Sequence, residues 1–381
     1  MPQSDERRRA LKERQERLSA WLAESGIFAC VIDDFEGLRA SSLRWLSGHP
    51  MDAILFVFAS GRTVLVPWDQ NLAREMSVVD QIIPYTDFKR SFREAIVAVL
   101  AQGGGAKIEF SSHTTFLRHR QLLEDLPHAE VLVRSDGCDA RLGSLRAVKD
   151  AEEMKAIERA ARITDEIAGL AVDLLRGSHA GGDPTEIDMA LLLEREAVSR
   201  GAEGMGFETL AAGPKRSWGI HPFPASTSGA FGGKGLSILD FGVRVDGYTS
   251  DVTMTIARGK LSEEQESMIR LVEQAYAAAL EAARPGGSPR EPARKAEEIF
   301  SAAGWRMPHA LGHGIGLDAH EKPLLHVQGS GSDAELAPGT VFTIEPGLYH
   351  PEHGGVRWEN DVLMSEEGPK VLTSSKIIRL D

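Results

Sequence analysis

The chain has 381 residues, more than one ordinary core accommodates, so two domains are expected. Its composition (42% apolar, 26% charged) is that of a globular protein, and a net charge of -13 excludes the basic stripe of a nucleic-acid binder. The two cysteines, Cys30 and Cys138, are not in Cys-x-x-Cys spacing, which excludes a disulfide framework or thiolate zinc site. The charged N-terminus has no secretory apolar core, and there is no run of 18 apolar residues to span a membrane. The expected location is the cytoplasm.

The first 145 residues alternate between helical and strand patterns. A charged helix over about 5–25 leads into an apolar strand, Ile27 to Ile32. AILFVFASGRTVLVP (53–67) reads as two strands around a Ser60-Gly61 turn. Helical patterns follow near 69–78, 89–101 and 114–125, with strands at 107–110 and 130–134. This predicts a smaller α/β domain over 1–145 with helices covering a sheet and no catalytic constellation. A second domain is expected over 146–381. Asp150 caps a long helix from Ala151 to about Leu175. DPTE (183–186) combines an N-cap acid, a proline at the first helical position and a glutamate three residues on. Strands follow, including LSILDFGVRVDG. The pattern then recurs: Ser262 and Gln265 open a helix, SPRE (288–291) opens another, and TVFTIEPG and VRWENDVLM read as strands. Helix, helix and strands, twice over, predict two related halves.

The chemistry lies in four segments. Asp240 ends an apolar strand and Asp251 begins the approach to the next, across the VRVDG turn, so a hairpin brings two acids to one face. Adjacent carboxylates repel unless a proton or cation lies between them. HALGHGIGLDAHEKP carries His309, His313 and His320 around glycines 312, 314 and 316, which permit close backbone approach and φ above zero. The segment lacks Gly-Lys-Ser/Thr, and three histidines suit a metal better than a phosphate. Glu345 ends the VFTI strand before Pro346-Gly347. In GGVRWENDVLM, alternation points Val356 and Trp358 one way, Arg357 and Glu359 the other. Four carboxylates with histidine are hard-to-borderline donors suited to manganese, cobalt, iron or zinc. Such a set can hold two divalent ions, which in hydrolases lie about 3.5–4 Å apart and generate a bridging hydroxide.

DFG, DGYTSDVT, HALGHGIGLDAHE, EPGLY and GGVRWEND together resemble the metallopeptidases of the pita-bread fold, which include methionine aminopeptidase, aminopeptidase P and prolidase. The two-domain layout is similar to aminopeptidase P and prolidase. The resemblance implies an α+β catalytic domain of two pseudo-symmetric halves behind an α/β N-terminal domain, and a homodimer. It implies a metal site in which Asp240 chelates one ion, Asp251 and Glu359 bridge both, and His313 and Glu345 complete the other. Glu345 also matches a proton shuttle, His221 a substrate-contacting histidine, and His309 and His320 pocket-lining histidines. Arg357 matches an arginine beside the last ligand in proline-directed members. Met254, Ala310 and Ala319 depart from the usual pattern without touching the ligand set, whereas the atypical WGIHPFPASTSGAF segment bears on specificity.

The expected activity is hydrolysis of small peptides next to proline, as an Xaa-Pro dipeptidase or aminopeptidase, with two manganese, cobalt or zinc ions. Glu345 would move the proton and His320 would help stabilise the oxyanion. A non-peptide amidase of the same fold (ectoine-hydrolase-like) is the alternative. A non-catalytic binding homologue is disfavoured because no ligand is missing. Glu321 falls outside the ligand set, and replacing it is expected to matter far less for activity.

Overall fold

The computed structural model describes residues 4–36, 39–101, 106–177, 183–328 and 335–381. The chain divides into two compact units, Met1–Leu145 and Arg146–Asp381.

The first unit is built from α1 (Asp5–Glu24), β1 (Ile27–Asp34), α2 (Ser41–Ser47), β2 (Ala53–Phe58), β3 (Thr63–Pro67), α3 (Gln70–Met76), β4 (Gln81–Ile82), α4 (Phe92–Leu100), β5 (Lys107–Phe110), α5 (Phe116–Asp125) and β6 (Glu130–Val133), with α6 (Cys138–Ala147) following. One sheet has the order β4-β3-β2-β1-β5-β6. Every residue of β2 and β3 is buried, as expected of a sheet covered on both faces. The helix expected from residue 89 starts later: Lys89 and Arg90 have positive φ, and Ser91 Oγ caps α4 by accepting from Glu94 N. The short α2 and α6 have too few turns to show a clear period and were not anticipated.

The second unit holds α7 (Ala151–Gly177), α8 (Glu186–Ser199), β7 (Gly204–Met205), β8 (Leu210–Ala212), β9 (Gly235–Phe241), β10 (Val243–Val245), β11 (Tyr248–Thr249) and β12 (Val252–Arg258). It continues with α9 (Glu263–Ala282), α10 (Arg290–Ala302), β13 (Gly312–Gly314), β14 (Glu321–Leu325), β15 (Val341–Ile344), β16 (Gly347–His350), β17 (Gly354–Arg357), β18 (Asn360–Ser365), β19 (Gly368–Val371) and β20 (Ile378–Leu380). Two helices precede a sheet twice. Helices α7 and α8 pack with a sheet of order β20-β12-β9-β8 around Ile167, Leu193, Leu239 and Met254. Helices α9 and α10 pack with β14-β13-β15-β18-β19 around Val272, Phe300, Phe342 and Val362. No helix among the described residues is long and apolar enough to cross a membrane.

Local chemistry explains the helix starts, with two corrections. Asp150 Oδ1 accepts from Glu152 N and Glu153 N and opens α7. Ser262 and Gln265 form a reciprocal capping box on α9. At 183–186, however, the cap is Thr185, boxed with Asp188, rather than Asp183. Asp183 instead accepts from the buried Arg258, and Glu186 turns inward. Helix α10 has Pro289, which offers no side-chain cap, at its N-cap position rather than Ser288, whose Oγ accepts from the first helical N–H, that of Arg290.

Candidate metal centre

Five donors converge inside the second unit, each set by its strand. β9 and β12 pair antiparallel with Asp240 opposite Thr253, which leaves Asp251 just ahead of β12 on the same side of the sheet. Asp251 N donates to the buried Asp361 carboxylate at 3.1 and 3.2 Å, fixing the backbone that carries the side chain. Glu359 lies between β17 and β18, and its N–H donates to the Thr253 carbonyl. Glu345 follows β15, where its N–H donates to the Leu311 carbonyl before Pro346 redirects the chain. His313 is central in β13. A Cβ at Gly312 would lie 2.0 Å from the Thr343 carbonyl oxygen, and one at Gly314 2.0 Å from that of Lys322. These glycines therefore serve close packing. Neither they nor Gly316 has the positive φ expected from the sequence.

The geometry is that of a donor cage. His313 Nδ1–H donates to the Gly314 carbonyl at 3.1 Å, which leaves the Nε2 lone pair facing Glu345 Oε1 at 3.5 Å and Asp251 Oδ2 at 3.9 Å. Ligand atoms of Asp251, His313 and Glu359 lie within 4.8 Å of one another. Asp240 Oδ1, Asp251 Oδ1 and Glu359 Oε1 are buried and accept no hydrogen bond from any described residue. Orphaned buried acceptors are costly in a native fold, and a cation relieves the cost. Burial, then mutual repulsion with Glu359 and Glu345 respectively, pushes Asp251 and Glu359 well above the usual carboxylate range. Burial raises Glu345 to about 8 against the opposing pull of Arg357, and burial lowers His313 to about 3, favouring the neutral imidazole a metal needs. The donor set thus fits divalent metal.

Around this cage, Arg357 acts as a hub. Its Nη2 donates to Asp240 Oδ2 at 2.5 Å, Nε to Thr253 Oγ1 at 2.9 Å, and Nη1 to Tyr349 Oη at 2.8 Å and the Ile220 carbonyl at 3.1 Å. Thr253 Oγ1 donates to Glu359 Oε2 at 2.7 Å, so Arg357 and Glu359 share a face as alternation requires. Trp358 points the other way and stacks on Tyr276. His309 Nδ1–H donates to the Ala310 carbonyl, so Nε2 accepts from the Tyr349 hydroxyl at 3.1 Å. Burial lowers His309 to about 4. The His320 ring lies 4.1 Å from that of His313, and His221 sits beyond Ile220. All nine anticipated residues line one cavity of about 470 Å³, whose rim includes Phe223 and Leu324.

Comparison with known proteins decides the family. The profile of metallopeptidase family M24 matches residues 155–366, and that of the creatinase/prolidase N-terminal domain matches residues 14–148. The chain belongs to metallopeptidase family M24. Its pita-bread unit and N-terminal unit are those of this family, and membership implies divalent metal. The chain is 29% identical to the Xaa-Pro dipeptidase of Pyrococcus furiosus over 96% of its length and 99% of that protein's. It superposes on the structure of an Xaa-Pro dipeptidase from Bacillus anthracis with a TM-score of 0.84 and 25% identity (97% and 99% covered). On an X-Pro aminopeptidase from Thermotoga maritima it gives 0.81 and 27% (96% and 99% covered).

Four residues in this M24 chain escaped the motif reading. Tyr349 and Asp361 sit within EPGLY and WEND, and Thr253 within SDVT, yet the bonds that employ them cross between strands. Glu186, read from DPTE only as a helix-start residue, is buried and accepts from Gly213 N, Thr227 N, Thr227 Oγ1 and Arg216, folding the loop that carries His221. Glu321 is also more than a bystander. Its side chain is buried and accepts from Lys149 at 3.0 Å and from Arg146, beside His320. The departures are benign, since Met254 packs in the first-half core and Ala310 and Ala319 line the cavity.

Proposed function

We propose that this M24 enzyme is an exopeptidase that cleaves next to proline, as an Xaa-Pro dipeptidase or Xaa-Pro aminopeptidase. In this reading two divalent ions, manganese, cobalt or zinc, are held by Asp240, Asp251, His313, Glu345 and Glu359. The observation that carries it is the grouping of Asp251, His313 and Glu359, whose ligand atoms lie within 4.8 Å of one another, in a cavity where Asp240, Asp251 and Glu359 each keep one buried carboxylate oxygen without a hydrogen bond. The names of the relatives supply the substrate class. When bound, the ions would lower the pKa of a water at the site from about 15.7 toward neutrality and polarise the scissile carbonyl.

The chain's own residues do the rest. Arg357 and Thr253 hold one oxygen each of Asp240 and Glu359, leaving the other oxygen of each free to ligate. Glu345, as the carboxylate, takes the proton of the attacking water and, once protonated, delivers it to the leaving nitrogen. When that nitrogen is proline's it belongs to a tertiary amide without an N–H, so recognition rests on shape and on contacts to the rest of the substrate. His320 and His221, both exposed on the cavity wall, face the substrate and the developing oxyanion. His309, held by Tyr349, supports that wall.

The test is turnover of an Xaa-Pro dipeptide, a longer Xaa-Pro peptide, a proline-free peptide and an N-acetylated amide by protein loaded separately with manganese, cobalt or zinc. Cleavage of the dipeptide alone identifies a dipeptidase, and release of the first residue of the longer peptide identifies an aminopeptidase. Exclusive cleavage of the amide overturns the reading. Glu345→Ala should stay folded and lose about 10²–10⁴-fold in kcat; wild-type turnover with metal present would remove its assigned role.

A further inference from the structure

Among the described residues, one other group of three side chains places metal-ligand atoms within 4.8 Å of one another: His350, Glu352 and His353. It lies on the three-residue connection between β16 and β17. His350 pairs with Gly354 at the turn, while Gly347 pairs with Arg357 at the opposite end of the hairpin. Three residue steps along a strand are about 10 Å, so this group is separate from the cage around Arg357.

The turn is built rather than loose. His353 N–H donates to the His350 carbonyl, and Gly354 takes a left-handed φ of 86° as the chain re-enters the strand. Gln265, already part of the capping box of α9, donates from Nε2 to the His353 carbonyl at 2.9 Å, pinning the turn to a helix N-terminus. The imidazoles of His350 and His353 stack with centroids 4.5 Å apart, and Trp305 packs edge-on against His350. Both rings are half-buried and Glu352 is exposed; His350 Nδ1 accepts from Glu352 N–H at 3.2 Å, which fixes the ring over the turn.

We propose that the β16–β17 turn is a second metal site, separate from the cavity, that takes a borderline divalent ion such as Zn²⁺. Two imidazoles and one carboxylate, with water in the fourth position, are a known zinc donor set, reached at about 2.0–2.2 Å after small rotamer changes. Imidazole donors favour zinc, copper or nickel over the harder manganese. A bound ion ties the start of β17 to the end of β16. Those strands carry Arg357 and Tyr349, so the ion stiffens the hairpin that orients both.

The experiment is zinc uptake by the metal-stripped full-length protein, read by isothermal titration and elemental analysis, for wild type and His350→Ala/His353→Ala. The double variant should bind one zinc equivalent fewer and lose the Tm increase that wild type shows on that last equivalent. Glu352→Gln, which leaves the turn shape intact, should weaken the same equivalent by about tenfold. Equal stoichiometry in wild type and the double variant, or an unaltered last equivalent in Glu352→Gln, overturns the proposal. Asp251→Ala/His313→Ala run in parallel removes donors of the cavity instead. A difference that survives there belongs to the turn whatever number of ions the cavity holds.

Discussion

Arg357 Nη2 lies 2.5 Å from Asp240 Oδ2, a buried ion pair that holds one carboxylate oxygen and leaves Oδ1 facing the cage. The same guanidinium reaches Thr253, Tyr349 and the carbonyl of Ile220, next to His221. A planar fork with five donors can make four such bonds in four directions; an ammonium cannot.

Arg357→Lys keeps the charge and removes the fork. The protein should fold, while kcat falls about 10–100-fold, the scale seen when groups orienting metal ligands are lost. Steady-state kinetics with saturating metal read this directly. An unchanged kcat would mean that charge, not geometry, is what the cage requires.

Glu321 sets an acid limit on stability. Despite the opposing cost of burial, the charges of Lys149 and Arg146 hold its carboxyl down to about 2, against an ordinary value of 4.5. Because the folded value is the lower one, the contribution is complete above about pH 4.5 and is lost as pH falls toward 2. It amounts to about 3 kcal/mol. Urea unfolding between pH 6 and 3 should show this loss in wild type, and a shallower pH slope in Glu321→Gln. That variant should be destabilised at neutral pH by about 3–5 kcal/mol, since Lys149 and Arg146 then lose their shared buried partner. Parallel pH slopes would rule Glu321 out as the cause.

Glu186→Gln tests the loop that carries His221. The carboxylate accepts from two backbone N–H groups, a hydroxyl and a guanidinium, and an amide must turn at least one N–H toward a donor. A loss of about 1–3 kcal/mol is expected, with faster hydrogen exchange at Gly213 and Thr227 and a raised KM. Unchanged exchange at both amides would show that the loop does not depend on Glu186.

Phe223 lies on the cavity rim and is 95% exposed, an unusual position for a large apolar side chain. Phe223→Ala should leave the melting temperature unchanged and raise KM for peptides with apolar side chains about tenfold, with little change in kcat. The same KM ratio for polar and apolar substrates would remove Phe223 from specificity.

Much of the site is legible because its donors come in short segments whose local pattern limits where they can go. Asp240 at the end of an apolar run, Glu345 before Pro-Gly and Arg357 alternating with Trp358 are statements about strands, and strands put alternate residues on one face. The cap at Thr185 differs from the expected one because DPTE satisfies the capping pattern two residues early, at Asp183. Only packing shows that Asp183 pairs with Arg258 and that Glu186 is buried.

By itself the sequence determined the order of elements in the second unit, the repeated helix–helix–strand plan and the chemical character of the donor segments, because periodicity and turn residues act over a few neighbours. Only the tertiary structure decided which atoms are free. That Asp240 keeps Oδ1 unbonded, that Thr253 bridges Arg357 and Glu359, and that His350, Glu352 and His353 meet at one turn all depend on register between strands and on contacts across as many as 117 residues. Hydrogen bonds at such separations follow from the packing of whole sheets and have no signature in a local window.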